Sequence, residues 1–252
     1  MKRRMCCALA LVTVLAMLTF AAIAAIKHGF RRKLTAQFDP IVLDLDGDTF
    51  QSNFTDPDHG IRWDFFSRGK SGFFGPDEGP IQLAWTKPGK RVGFLWIDRN
   101  TGDDRSACFM ASDQQGCNGI PDNGKELFTD VAPQMGVAGF KTSAAHPYRP
   151  TGFGALKMFD KSEYGGNGDG RIDANDRVFE HLHVWVDLNH NGKLDPGENF
   201  SLKELGVVWI SLEFRENNER DQYRNTRWLD GTVVTNNSHT IAIYDVAFRE
   251  HD

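Results

Sequence analysis

The run Asp187-Leu-Asn189-His-Asn191-Gly192-Lys193-Leu194-Asp195-Pro-Gly-Glu198 decides how this chain is read. Oxygen-bearing side chains stand at positions 1, 3, 5, 9 and 12 of these twelve residues, a glycine at 6 and a leucine at 8. One loop wraps a calcium ion with this spacing. Side chains come from 1, 3 and 5, the backbone carbonyl from 7, a direct or water-mediated ligand from 9 and a bidentate glutamate from 12, with glycine taking the sharp turn. An ordinary polar turn supplies scattered Asp, Asn and Gly but does not need leucine at 8 and glutamate at 12. The spacing predicts Ca2+ held by Asp187, Asn189, Asn191, Lys193, Asp195 and Glu198.

Three earlier stretches repeat parts of this pattern. In Asn167-Gly-Asp169-Gly170-Arg171-Ile172-Asp173-Ala-Asn-Asp176 the residues fit positions 3, 5, 7, 9 and 12, but strict register puts Gly165 at position 1. Asp160 or Glu163 must then fold back to fill it. Upstream, Asp98-Arg-Asn100 and Asn118-Gly119-Ile-Pro-Asp122-Asn-Gly-Lys-Glu126 recover the ligand order across an insertion, with one residue more before the glutamate. Asp103 is an alternative to Asn118. The earliest stretch, Asp44-Leu-Asp46-Gly-Asp48, supplies positions 1, 3 and 5, but Thr49 replaces the glycine and no acid stands at 12. It reads as a metal site or a solvated turn. Its Asp-Leu-Asp-Gly also resembles the nucleophile motif of haloacid dehalogenase-like phosphatases. That family expects Thr in place of Asp48 and a long alternation of strand and helix, neither of which is visible.

Around the loops the chain reads as short strands: Ile41–Leu43, Ile61–Phe66, Ile81–Thr86, Val92–Ile97 and His183–Val186. Gly154 to Asp160 has helical spacing, with Phe153, Leu156 and Phe159 on one side, and a short helix is expected from Ala174 to His181. Ser201 with Glu204 makes a capping box before Gly206. The tail alternates as an antiparallel meander: Val208–Phe214, Tyr223–Leu229, a turn at Asp230-Gly231, Thr232–Thr235, a turn at Asn236-Asn237, and Thr240–Phe248. The fold class expected is α+β, with short strands, an antiparallel C-terminal meander, short helices and EF-hand-like calcium loops.

Residues Met5 to Ile26 form an apolar run behind Lys2, Arg3 and Arg4, long enough for a bilayer. Ala22-Ile23-Ala24 suits a signal-peptide cleavage site, whereas Lys27, Arg31, Arg32 and Lys33 suit an uncleaved anchor. The expected organisation is a signal peptide or membrane anchor over 1–26, a basic linker over 27–38 and a calcium-binding domain over 39–252. The remainder is expected outside the cytoplasm, reaching the membrane only through that first segment. Setting the three leading basic residues aside leaves 29 − 3 = 26 basic against 34 acidic residues, or −8. That balance argues against nucleic acid as a partner. Cys108 and Cys117 lie nine apart in a polar stretch, where a disulfide is the outcome expected in an oxidising compartment, with two free thiols or a zinc pair as the alternatives. His181 and His183 share one side of a strand and are a weaker zinc reading.

The succession Asp39-Pro-Ile-Val-Leu-Asp-Leu-Asp-Gly-Asp, Leu-Trp-Ile-Asp98-Arg-Asn100, Asp122-Asn-Gly-Lys-Glu-Leu-Phe128, Asn167 to Asp176, Val184 to Gly192, Ser201 to Gly206 and Tyr244 to Phe248 resembles calcium-binding modules of RTX-type bacterial exported proteins. The resemblance implies a calcium-loaded module with EF-hand-like or dockerin-like loops and no catalytic residues of its own. The glycine-rich nonapeptides of true RTX arrays are absent from the sequence. The function expected is therefore a non-enzymatic calcium-binding protein whose ions hold the fold. A calcium-shaped adhesion module and a metal-dependent hydrolase or phosphatase are the alternatives, and no protein or glycan partner is indicated.

Overall fold

The computed structural model describes residues 39–65, 80–99, 107–111, 117–130, 132 and 151–251. The chain divides into Met1–Ala36 and Gln37–Asp252, and every described residue belongs to the second unit. The expected leader or anchor over 1–26, the linker over 27–38, Asn100, Asp103 and nearly all of 131–150 lie outside the described residues.

Eleven strands are described: β1 (Ile41–Asp44), β2 (Ile61–Trp63), β3 (Ile81–Leu83), β4 (Val92–Trp96), β5 (Arg171–Asp173), β6 (His183–Trp185), β7 (Asn199–Ser201), β8 (Val207–Ser211), β9 (Arg215–Arg220), β10 (Thr226–Thr235) and β11 (Thr240–Ala247). The large sheet runs β5-β8-β10-β11-β1-β4-β6-β7, with β9 also on β10 and every pairing antiparallel. β2 and β3 form a separate pair. Central β1 is buried at all four residues, which explains a run with no polar residue before Asp44.

Alternation along the central strands sends side chains to two cores. Ile41, Leu43, Leu95, Ile97, Val184 and Val186 face α2 (Gly152–Lys157) and the 3-10 turn Met158–Asp160, which bring Phe153, Leu156 and Phe159. Val42, Phe94, Trp96, Trp185 and Tyr244 face the other way. There they meet Phe50 and Phe54 around the one-turn α1 (Phe50–Asn53), and Trp63, Leu83 and Trp85 from the β2–β3 region. Trp63, Trp85, Trp96 and Trp185 are thus core.

The α+β expectation is corrected. Of the described residues 35% are strand and 14% helical, and the large sheet curls into a half-barrel, so the architecture is essentially all-β. Helical spacing at Phe153, Leu156 and Phe159 produced only six α-helical residues and single 3-10 turns, because segments this short gain little from helix propagation. The structure gives the transmembrane-helix expectation no support: among the described residues no helix is long and apolar enough to cross a membrane, and the segment expected to form one lies outside them.

Two details of the meander differ. Asp230-Gly231 is not a turn but lies inside the ten-residue β10. Gly231 is there for space, since a Cβ would lie 2.9 Å from the Phe153 ring where α2 meets the sheet. The polar Arg215–Arg220 forms β9, an edge strand whose charges discourage pairing with another chain.

Candidate metal centres

Asp187 follows β6 and is wholly buried. Its Oδ1 accepts the Asn191 N–H at 3.0 Å, and its Oδ2 accepts the Gly192 N–H at 2.8 Å and the Trp85 Nε1–H at 2.7 Å. Glu198, also buried, returns to the start of the loop: Oε1 accepts the N–H of Leu188 at 2.9 Å and Oε2 that of Asp195 at 3.0 Å. The Glu198 carbonyl accepts the Val186 N–H at 2.9 Å, closing the loop as the end of a β-hairpin between β6 and β7. Asn191 Oδ1 takes the Lys193 N–H at 2.7 Å. Asn189 and Asn191 both donate to Asp195 Oδ2, at 2.7 and 2.6 Å, and these bonds hold the Asp195 carboxyl below its usual range. Gly192 sits at φ +69°, the left-handed region that position 6 demands.

The second loop repeats this web. Gly119 donates to Asp98 Oδ2 at 2.8 Å, Ile120 to Asn118 Oδ1 at 3.0 Å, and Asn118 Nδ2 to Asp122 Oδ2 at 2.9 Å. Asp122 donates to Glu126 Oε2 at 2.8 Å, Arg99 to Glu126 Oε1 at 3.4 Å, and Ile97 to the Glu126 carbonyl at 2.9 Å. Asn118 therefore occupies the place that Asn191 holds in the fourth loop. In the third loop Asp160 folds back to position 1, taking the Gly168 and Gly170 N–H groups at 3.0 and 3.1 Å. Glu163, the alternative, is exposed. Arg171 donates to Asp169 Oδ1 at 3.1 Å, and Asp176 closes the loop by accepting from Asn167 at 3.2 Å and Asp173 at 2.8 Å. Gly119 and Gly170 share the positive φ, at +71° and +85°.

The second and fourth loops are also related through the sheet. β4 and β6 pair as Phe94↔Trp185, Leu95↔Val184 and Trp96↔His183. Exchanging Trp96 with Trp185, Leu95 with Val184 and Phe94 with His183 leaves that register unchanged and carries Asp98 onto Asp187. The return strands obey the same exchange, for Trp96 bridges Leu127 as Trp185 pairs with Asn199. Two copies of one strand–loop–strand unit thus lie about a local two-fold axis and leave opposite ends of one strand pair. Framing by strands corrects the EF-hand expectation, since an EF-hand loop joins two helices.

The residues fit a hard divalent cation. The side chains gathered in each loop are carboxylates and amides, the donor set of calcium. Asp98 Oδ1 is buried and has no hydrogen-bond partner among the described residues, the position an ion would satisfy. Burial pushes the Glu126 carboxyl up to about 9 and raises that of Asp176, so each needs positive charge to ionise in place. The Arg99 guanidinium, buried beside Glu126, is itself pulled down to about 10 by burial.

The first loop shares only the opening of this web, and no acid closes it. Asp44 Oδ1 accepts the Asp46 and Gly47 N–H groups and its Oδ2 takes Asn53 Nδ2, while Asp46 takes the Arg91 N–H at 2.9 Å and Asp48 the Lys90 Nζ at 2.5 Å. Two of its acids are thus engaged by Lys90 and Arg91. Neither histidine reads as a zinc ligand here: His181 stacks on Phe109 at 4.4 Å and His183 lies 5.4 Å from the Trp96 ring. Trp85 and the buried Asn123, which donates to Glu126 Oε2 at 3.1 Å, were not expected as site residues. Asn123 stood in view between Asp122 and Glu126, whereas nothing near Trp85 in sequence marks its reach to Asp187.

The model of the SPM domain family matches residues 96–249, more than half of the chain. This chain belongs to the SPM domain family. The matched region begins two residues before Asp98, so all three hydrogen-bonded loops fall inside the SPM domain and the first does not. The iron-regulated protein FrpA of Neisseria meningitidis serogroup C is 28% identical over 209 residues, 83% of this chain. The chain corresponds to 15% of the length of that relative.

Proposed function

We propose that this SPM domain is a calcium-binding module of an exported protein, in which ions at the second, third and fourth loops hold the half-barrel together. The observation that carries the reading is the hydrogen-bond web common to three loops, each wrapping a first-position aspartate with backbone N–H groups, a glycine's among them, and closing on a distal acid. Asp98, Asn118, Asp122 and Glu126 would hold one ion, with Asn100 as the expected further ligand. Asp160, Asn167, Asp169, Asp173 and Asp176 would hold the second. Asp187, Asn189, Asn191, Asp195 and Glu198 would hold the third. The Ile120, Arg171 and Lys193 carbonyls occupy the backbone position. A bound ion would add positive charge among these carboxylates. The disulfide between Cys108 and Cys117 supports a location in an oxidising compartment. The order of motifs supports kinship with RTX-type exported proteins.

Asparagine at several ligand positions lowers the charge that attracts the ion. Affinity is therefore expected near the roughly 10⁻⁴ to 10⁻³ M of extracellular calcium modules. Binding to the native state alone raises the melting temperature with calcium concentration. Equal melting midpoints in calcium and in chelator would overturn the proposal, and Asp187→Ala should remove one binding event in calorimetry. An adhesion surface would call for exposed aromatics. Among the described residues the exposed large apolar side chains are Ile120, Leu188 and Val208, none of them aromatic.

A further inference from the structure

We propose that the Cys108–Cys117 disulfide positions the second loop for its cation, so that binding there depends on the thiol–disulfide state of the surroundings while the other two loops are indifferent to it. The inference rests on the calcium reading above. In the fourth loop Asn191 follows Asp187 by four residues; in the second, Asn118 follows Asp98 by twenty. Yet Gly119 reaches Asp98 Oδ2 at 2.8 Å, as Gly192 reaches Asp187. A long insertion opposes that closure through chain entropy, and a covalent tie removes most of the opposition.

The tie sits where it has this effect. Cys108 is fixed to the first ligand, because its N–H donates to the Asp98 carbonyl at 2.9 Å and Ala107 bridges Arg99. Cys117 immediately precedes Asn118. The bridge therefore joins the segment bearing position 1 to the segment bearing positions 5 and 6. An oxygen of Asp98 and both sulfurs all lie within 4.8 Å of one another.

The two ends are held unequally. Phe109 stacks on His181 with ring centroids 4.4 Å apart, and Arg177 donates to the Phe109 carbonyl at 2.9 Å with its guanidinium 5.3 Å over the ring. These contacts keep Cys108 anchored once the bridge opens. Asn118 and Gly119 are the residues released.

The opening step is ordinary exchange. One thiolate of an external dithiol attacks a bridge sulfur, the other cysteine leaves as thiolate and takes a proton, and the second thiol of the reagent displaces the mixed disulfide. Two cysteine thiols and one oxidised reagent result.

The test uses the full chain, with and without dithiothreitol, and with Cys108→Ser/Cys117→Ser. Amide exchange is followed at Gly119, Gly170 and Gly192 in chelator, and calcium binding by calorimetry. Reduction should speed exchange at Gly119 and weaken one calcium site by between about tenfold and a hundredfold, leaving Gly170, Gly192 and the other sites unchanged. Unchanged exchange at Gly119 overturns the proposal, and so does equal loss of protection at all three glycines, because the effect is then global. A chain that binds no calcium in either state sinks the calcium reading, while exchange at Gly119 still decides this one.

Discussion

Replacing Trp85 by Phe isolates the contact between the aromatic core and the fourth loop, because Trp185 provides a matched control. Both indoles are buried, at 1% and 0% exposure, in the same cluster with centroids 5.7 Å apart. Truncation to Phe therefore leaves similar cavities, and that cost largely cancels between the two variants. The indole N–H groups differ. Trp85 Nε1 donates to the buried Asp187 carboxylate at 2.7 Å, whereas Trp185 Nε1 is buried with no partner among the described residues. A hydrogen bond to a charged group contributes about 1.5 to 3 kcal/mol, and removing an unsatisfied buried donor relieves about 1 to 3 kcal/mol. Trp85→Phe should thus be less stable than Trp185→Phe by about 2.5 kcal/mol or more. At about 2 to 4 °C per kcal/mol for a domain of this size, the gap in melting temperature is at least about 5 °C. Scanning calorimetry of both variants in chelator measures it. Midpoints within about 2 °C of each other, or a lower midpoint for Trp185→Phe, would refute the reasoning.

Glu126 gives a pH prediction. Its folded-state pKa of about 9 lies above the ordinary 4.5, so its contribution to the metal-free fold is complete below about pH 4.5 and is lost as pH rises through about 9. Filling the second loop requires the ionised form, so calcium added near pH 7 to a weakly buffered sample should release a proton that Glu126→Gln does not release. Gly192→Ala should cost about 1 to 2 kcal/mol for the left-handed backbone and more for a Cβ that would lie 2.4 Å from Ile61 Cδ1. Gly170→Ala, with open space around it, should show the backbone cost alone in the same denaturant titration. Thr151 caps α2 by accepting the Gly154 N–H at 3.0 Å, and Thr151→Ala should lower stability by about 1 kcal/mol by urea unfolding.

Much of the sheet was legible because alternation encodes which face a residue takes. β1, β4, β6 and β11 fall where Ile41–Leu43, Val92–Ile97, His183–Val186 and Thr240–Phe248 placed them. The ligand spacing located the loops for a related reason: position 6 needs glycine, and the twelfth-position acid must reach back to the first residues. What failed depended on contacts distant in sequence. Gly231 reads as a turn in sequence because its reason, the ring of Phe153, is 78 residues away in the chain. β9 carries no apolar residue and so no alternation; pairing with β10 alone makes it a strand. The choice between Asp160 and Glu163 turned on whether Lys161 to Gly166 could bulge out of the loop, which spacing does not express. Helix was over-read at Phe153–Phe159, where apolar residues three apart satisfied a single α-turn followed by a 3-10 turn.

The local dyad relating the second and fourth loops bears on how strand register is kept. β4 and β6 run in opposite directions, and each is followed two residues on by an aspartate locked by its own turn. A two-residue slip of one strand past the other would preserve the facing of every side chain, so the apolar pattern alone tolerates it. It would also drag one aspartate out of its cradle and drive the other through its own. Latches at both ends of a short pair oppose sliding in either direction, adding to the hold of its three cross-strand residue pairs.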